Sequence, residues 1–492
     1  MNRALLRLSL ACLAMFVLLL INVNYVQAFE AGSLANKPGN VRVFNQQFQY
    51  QRGSIIASGS GQNYKIAESV PVKGSNTFQR VYPGGATYAP VTGFSSIYGA
   101  KGIEQAEQKY LAGTAPSLAV HNLIDLVTGK PKQGATVYLT ISPKAQKAAY
   151  KALLADGGHQ AAAVAIDPST GAILAMASYP TFNPNRLTTL DGPKFVKIDN
   201  ALLRDPAQPL LNRAINETYP PGSSFKVVTS AAAFSTGKVA NNTNTTVNAP
   251  QPLTLPNGHQ LNNDSGELCG DGHPPIIQAF WLSCNTAFGQ LGMNLGGGTL
   301  RDYATKFGWN DSNLTIPLKV SPSVVPLITD KSLTAYTAIG QLNDSVTPLQ
   351  EAMDAAAVAN HGTLMRPYLV QQVQAPDLTT IQNASPSVLS QVMTTQVADN
   401  LTQMMTAVTQ NPAGTAFATA NSSVAGVEIA GKTGTAENGL SATNLDDAVF
   451  TCFAPASSPK IAVGVIVKGG GFGADAAAPI AVKIIQAYLG VS

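Results

Sequence analysis

Three short motifs constrain this chain more than anything else in it: Ser223-Ser224-Phe225-Lys226, Ser283-Cys284-Asn285 and Lys432-Thr433-Gly434, in that order. A fold that makes one site of them must bring a helix start, a loop and a strand into the same cleft. Together they read as three walls of a serine acyl-transfer site. Such a site opens an amide through a covalent acyl-serine, and a lysine takes the serine's proton.

Ser-x-x-Lys alone is weak, since Ser235-Thr236-Gly237-Lys238 and Ser457-Ser458-Pro459-Lys460 also fit it. Those two carry Gly or Pro inside the motif, which spoils a helical turn. Ser223 instead follows Pro220-Pro221-Gly222 and opens residues 223–235, which run without a breaker and are expected to be helical. Residues three apart on a helix are neighbours, so Lys226 is expected over Ser223. The serine then sits at a helix N-terminus, where free N–H groups favour developing negative charge. Ser-x-Asn and Lys-Thr-Gly each occur once. Singly, the three motifs have ordinary readings: a capping serine, a turn asparagine, a surface lysine. Their ordered combination points to catalysis.

With these residues the chain resembles a class B penicillin-binding protein, a monofunctional peptidoglycan transpeptidase. The likeness extends to Asn212-Arg213-Ala214, to Glu217-Thr218-Tyr219-Pro220-Pro221-Gly222, and to the stretch 164–178 around Asp167-Pro168-Ser169-Thr170-Gly171. Upstream, Arg52-Gly53-Ser54-Ile55 and Gly99-Ala100-Lys101-Gly102-Ile103-Glu104 are similar to boxes that separate class B from class A. Two departures stand out. Val449 takes a position where the family often has Trp, and the Asp-Arg that usually continues the first box is missing after Ile55. In layout the chain is similar to the short class B enzymes of Actinobacteria.

The 492 residues leave room for an anchor and two or three domains. Hydrophobic residues make up 45% and charged ones 12%, so a large core under a neutral polar surface is expected. A net charge of +4 without a basic run gives nucleic acid no purchase. Arg3 and Arg7 precede an apolar run over 8–21, which reads as a membrane-directing segment with its basic end inside. With its flanks the run reaches Val26, near the ~20 residues a span needs. Val26-Gln27-Ala28 also fits a cleavage site. The resemblance favours an uncleaved anchor, with the catalytic part outside the cell membrane.

Outside that run lie Cys269, Cys284 and Cys452. In an exported chain a disulfide is reasonable, and Cys269 with Cys284 is the better pair, leaving Cys452 as a buried thiol on a strand. Sequence separation does not decide whether the two sulfurs meet. A zinc site from Cys269, His273, His259 and Cys284 fits no common ligand spacing, so neither metal nor cofactor is expected.

The expected division is an anchor at 1–28, a non-catalytic pedestal at 29–134 with little helical periodicity, and a transpeptidase domain at 135–492. Residues 136–141 and a helix after Ser142 mark the entry into the last. Hairpins are expected at 162–177 and 448–468, and a closing helix at 479–489. The economical arrangement is α+β: a mixed fold with an antiparallel sheet, terminal helices on one face and a helical subdomain on the other. The resemblance makes this the penicillin-binding, serine β-lactamase-like fold. The Asn-, Thr- and Pro-rich stretch 241–259 reads as an exposed loop near the cleft.

The resemblance also implies roles. Ser223 attacks the D-Ala-D-Ala carbonyl of a stem peptide; Lys226, made neutral by partial burial and the charge of Lys432, takes its proton. Ser283 relays a proton to the leaving group, and Asn285 holds a substrate amide and Lys226. Lys432, Thr433 and Thr435, on the strand containing Gly434, bind the terminal carboxylate. The N–H groups of Ser223 and Thr435 form the oxyanion hole. Arg213 and Glu217 read as structural partners and Glu437 as a solvated charge. One rival reading sends the acyl group to water, as in a β-lactamase or DD-carboxypeptidase; no acidic residue at an obvious spacing after Asn285 supplies a deacylating base. Another is a non-catalytic membrane scaffold or β-lactam sensor. The expected partners are stem peptides, β-lactams, the membrane and, for want of a polymerase domain, a SEDS-family glycan polymerase with elongation or cell-division proteins.

Overall fold

The computed structural model describes residues 2–30, 33–34, 47–61, 63–264, 266–437 and 446–491. The N-terminal run forms a helix over Asn2–Tyr25 with a wider turn at Val26–Glu30. The stretch Leu5–Glu30 is long and apolar enough to cross a membrane, and its apolar window is packed against nothing.

The first folded body is a six-stranded sheet in the order Thr380–Asn383, Val370–Gln374, Thr136–Leu139, Ile55–Ala57, Tyr64–Pro71, Phe78–Val81. Two expectations change here. Thr136–Leu139 does not enter the catalytic sheet. It pairs in parallel with Ile55–Ala57 and antiparallel with Val370–Gln374, so the sheet crosses the border drawn at 134/135. Alternation along the strand, with Val137 and Leu139 buried, was legible; its partner was not, because a period of two fixes a face and not a neighbour. The body also holds helices, including Ala119–Thr128 closed by left-handed Gly129, where little helix was expected.

The two upstream boxes meet in this body's interior. Glu104, fully buried, accepts from Arg52 Nε and Arg80 Nε, each at 2.6 Å, and from the Tyr82 hydroxyl at 3.1 Å. Burial alone would raise its pKa, but the two guanidiniums hold it below the ordinary value. Glu104→Gln leaves two buried cations without a countercharge. It is expected to destabilise this body by about 3–5 kcal/mol. Chemical unfolding checks this: an unchanged midpoint contradicts it.

The second body is built on a five-stranded antiparallel sheet in the order Ala430–Ala436, Asp447–Ala454, Ile461–Val467, Ala161–Ile166, Ile173–Tyr179. Its strands are buried on both faces because both are covered, and the three central ones carry almost only apolar side chains. Helices Pro143–Leu154 and Ala477–Leu489 pack on one face and Pro348–Ala359 on the other. Ser142 caps the first of these by accepting from the Ala145 N–H. Beyond Pro348–Ala359 lies the helical subdomain that carries Ser223 and Ser283.

Candidate active site

The segment expected as one helix from Ser223 is two: a 3₁₀ turn over Gly222–Phe225 runs into the α-helix Lys226–Ser235. The tighter first turn still sets Lys226 Nζ 2.9 Å from Ser223 Oγ. Gly222 has φ +55°, and a Cβ there would fall 2.5 Å from the Thr435 carbonyl oxygen. The Gly222–Phe225 turn thus rests directly on the backbone of strand Ala430–Ala436.

Lys226 is fully buried. Its Nζ also lies 2.7 Å from the Ser283 carbonyl, 2.7 Å from Asn285 Oδ1 and 3.2 Å from Ser283 Oγ. The carbonyl and the amide oxygen only accept, so they take both protons of a neutral amine and leave its lone pair toward Ser223. Burial pushes Lys226 down to about 7, against the opposing pull of Asp264. This corrects one expectation: full burial, not the charge of Lys432, lowers Lys226. The repulsion is felt at Lys432, which burial and then Lys226 bring well below the ordinary lysine value.

Ser283 sits between helices Ile276–Trp281 and Asn285–Leu295 with φ +59°, a left-handed backbone that serine rarely adopts. That conformation turns both its carbonyl and its hydroxyl inward. Lys432 Nζ donates to Ser283 Oγ at 2.9 Å and to the Thr433 carbonyl at 2.8 Å, so one hydroxyl lies between two lysines. Thr433 Oγ1 pairs with Thr415 Oγ1 at 2.7 Å. A cleft of about 500 Å³ opens over these groups, lined by Ser223, Ser283, Thr433, Thr435, Asp264 and Phe472 among others.

Cys269 and Cys284 are joined in a disulfide, with Cα atoms 6.1 Å apart. It ties the loop after residue 262 to the Ser-x-Asn wall and occupies both sulfurs of the zinc reading. The described residues contain no cluster of three metal-ligating groups. The tethered loop carries Asp264, which sequence reasoning missed: its Oδ1 accepts from Asn285 Nδ2 at 2.6 Å, turning the amide oxygen toward Lys226. Nothing local marks this aspartate, because its partner is distant in sequence. The cleft is lined by this loop and not by 241–259, where Val247, Ala249, Leu253 and Leu255 are buried. Arg213 Nε lies 3.0 Å from Glu217, well away from the lysines' contacts, and Glu437 is exposed. Val449 is buried beside Gly434.

The penicillin binding protein transpeptidase domain family matches residues 161–486, and the penicillin binding protein A dimerisation domain family matches 52–137. The sequence is 41% identical to the peptidoglycan D,D-transpeptidase PbpA of Mycolicibacterium smegmatis, with 99% of both chains covered. It is 40% identical to PbpA of Mycobacterium tuberculosis, again over 99% of both. The crystal structure of M. tuberculosis penicillin-binding protein A superposes with a TM-score of 0.82 at 39% identity, covering 90% of this chain and 100% of that one. Its penicillin G acyl-enzyme complex gives 0.81 at 39% identity, over 89% and 100%.

Proposed function

The chain belongs to the penicillin-binding protein transpeptidase family, and on that premise we propose the roles of its residues in the reaction. The protein is a serine-type peptidoglycan D,D-transpeptidase that is acylated by β-lactams. Ser223 is the nucleophile. As its Oγ attacks the carbonyl between the two terminal D-alanines, its proton passes to Lys226, and the N–H groups of Ser223 and Thr435 bind the oxyanion. Ser283 carries a proton to the departing D-alanine amine, supplied from the lysine side. Lys432, Thr433 and Thr435 hold the terminal carboxylate along the substrate-binding strand that includes Gly434, and Asn285 holds a substrate amide. An amine of a neighbouring stem then attacks the acyl-serine, forms the new amide and returns the proton to the site. The observation that carries this reading is the dry amine of Lys226 between Ser223 Oγ and the Ser283–Asn285 wall.

Intact mass after exposure to penicillin tests it. A lasting adduct is expected on the wild type and none on Ser223→Ala. Rapid loss of the adduct with turnover favours the hydrolase reading instead, and no adduct on the wild type overturns the mechanism.

Our reading keeps 1–28 as a membrane anchor, 29–134 as the bulk of the pedestal and 135–492 as the transpeptidase domain, with 136–139 and 370–383 completing the pedestal sheet. Arg3 and Arg7 ahead of the apolar run support placing the rest on the extracytoplasmic side. Partnership with a SEDS-family polymerase and with elongation or division proteins, through anchor and pedestal, accounts for the two non-catalytic parts.

A further inference from the structure

Behind the nucleophile turn lies a carboxyl for which the reaction above has no use. Glu351, on helix Pro348–Ala359, is 1% exposed, and its Oε1 is 2.7 Å from the hydroxyl of Ser224, the residue after the nucleophile. The same hydroxyl is 2.9 Å from the Pro221 carbonyl. That carbonyl only accepts and a serine has one proton. With the proton on Pro221, closing the turn, the second contact needs a proton from the carboxyl. Glu351 Oε2 has no hydrogen-bond partner among the described residues. A neutral acid tolerates this in a dry site, whereas a carboxylate there would cost several kcal/mol.

Among the described residues no cation is paired with Glu351. Asp354, three residues on, is a second buried carboxyl, held by Trp309 Nε1 at 3.2 Å and Gln350 Nε2 at 2.8 Å. Strands Ala161–Ile166, Ile461–Val467 and Thr363–Met365 carry no titratable side chain. Strand Asp447–Ala454 brings Asp447 and the buried thiol Cys452, and Thr451 donates to the Glu351 carbonyl at 2.6 Å. Helix Arg213–Asn216 brings Arg213, already paired with Glu217, and Thr395–Gln410 brings the exposed Asp399. Burial pushes Glu351 well above the ordinary carboxylate range, and Asp354 likewise.

We propose that Glu351 is a positioning residue, held protonated, whose carboxyl donates to Ser224 and so fixes the Pro221–Ser224 turn that aims Ser223. This rests on Ser223 as nucleophile, which the Ser223→Ala adduct test reads separately. Ionising the carboxyl at alkaline pH removes the donor and loosens the turn without touching the reacting atoms.

The test is the rate constant of acylation from the bound penicillin complex, measured for the full chain in detergent over about pH 6–10. The wild type is expected to fall on the alkaline side. Glu351→Gln keeps a neutral N–H donor; it should retain most of the neutral-pH rate and lose that alkaline fall. Glu351→Leu, with no donor, should acylate at least about tenfold more slowly at every pH, with the noncovalent affinity little changed. An alkaline fall that is absent from the wild type, or unchanged in Glu351→Gln, overturns the proposal. So does a wild-type rate in Glu351→Leu; if that variant does not fold, Glu351→Gln decides alone.

Discussion

Lys226→Met will lower the rate of penicillin acylation by about 10²–10⁴-fold, the usual worth of a positioned general base, while the chain stays folded. Methionine nearly fills the volume of the lysine and suits its dry surroundings. The loss falls on chemistry because, among the described residues, Lys226 is the base in hydrogen-bond contact with Ser223 Oγ. The structural cost is the loss of donors to the Ser283 carbonyl and Asn285 Oδ1, about 1–3 kcal/mol for buried acceptors left unpaired. In the wild type the acylation rate should climb as pH rises through about 7. Burial has lowered Lys226 to that value, and only the neutral amine accepts a proton. A stopped-flow or mass-based rate measurement decides the matter. A wild-type rate in Lys226→Met, or a flat profile across the neutral region, would show that Lys226 is not the base.

Gly434→Ala should be nearly as damaging, for a steric reason. A Cβ at 434 would stand 2.6 Å from the Pro221 carbonyl oxygen and 2.9 Å from Val449 Cβ, with the Ser224 nitrogen at 3.3 Å. Two of these three atoms belong to backbone, which cannot swing aside as a side-chain end can. The strand must move away from the nucleophile turn, which widens the gap between the Ser223 and Thr435 N–H groups. A displacement of the order of 1 Å at reacting groups costs roughly 10²-fold in rate. Overpacking of this kind costs about 1–3 kcal/mol of stability. The variant is therefore expected to remain folded at low temperature and to acylate at least about a hundredfold more slowly, with the deficit in the chemical step. Unimpaired acylation would mean that the strand does not supply the second oxyanion donor.

Much of this was readable before any coordinates. The two hairpins of the catalytic sheet, the Ser142-capped helix and the closing helix are local patterns: a period of two, a capping residue, a breaker-free apolar stretch. The three motifs named Ser223, Lys226, Ser283, Asn285 and Lys432, and the fold brings all five side chains within hydrogen-bond reach of one another as a connected set. The misreadings share a cause. Thr136–Leu139 alternates as a strand should but joins the pedestal sheet, because the edges open to it belong to residues near 55 and 370. The stretch 241–259 is the largely exposed loop that its composition suggests, but it does not line the cleft, since where a loop sits depends on distant segments.

The sequence by itself determined which residues could form the site, since the three motifs in that order supply a serine, two lysines and an asparagine as candidates. It also determined the apolar segment of the N-terminus, which depends on length and composition alone. Only the tertiary structure decided that burial, and not a neighbouring charge, sets Lys226 near neutrality. It alone decided that Asp264 orients Asn285, that Cys269 meets Cys284, and that Glu351 stands behind the nucleophile turn. Propensity and i, i+3 spacing are settled by near neighbours on the chain. Desolvation and long-range hydrogen bonds depend on which distant segments exclude water, and that is fixed only when the two bodies have folded.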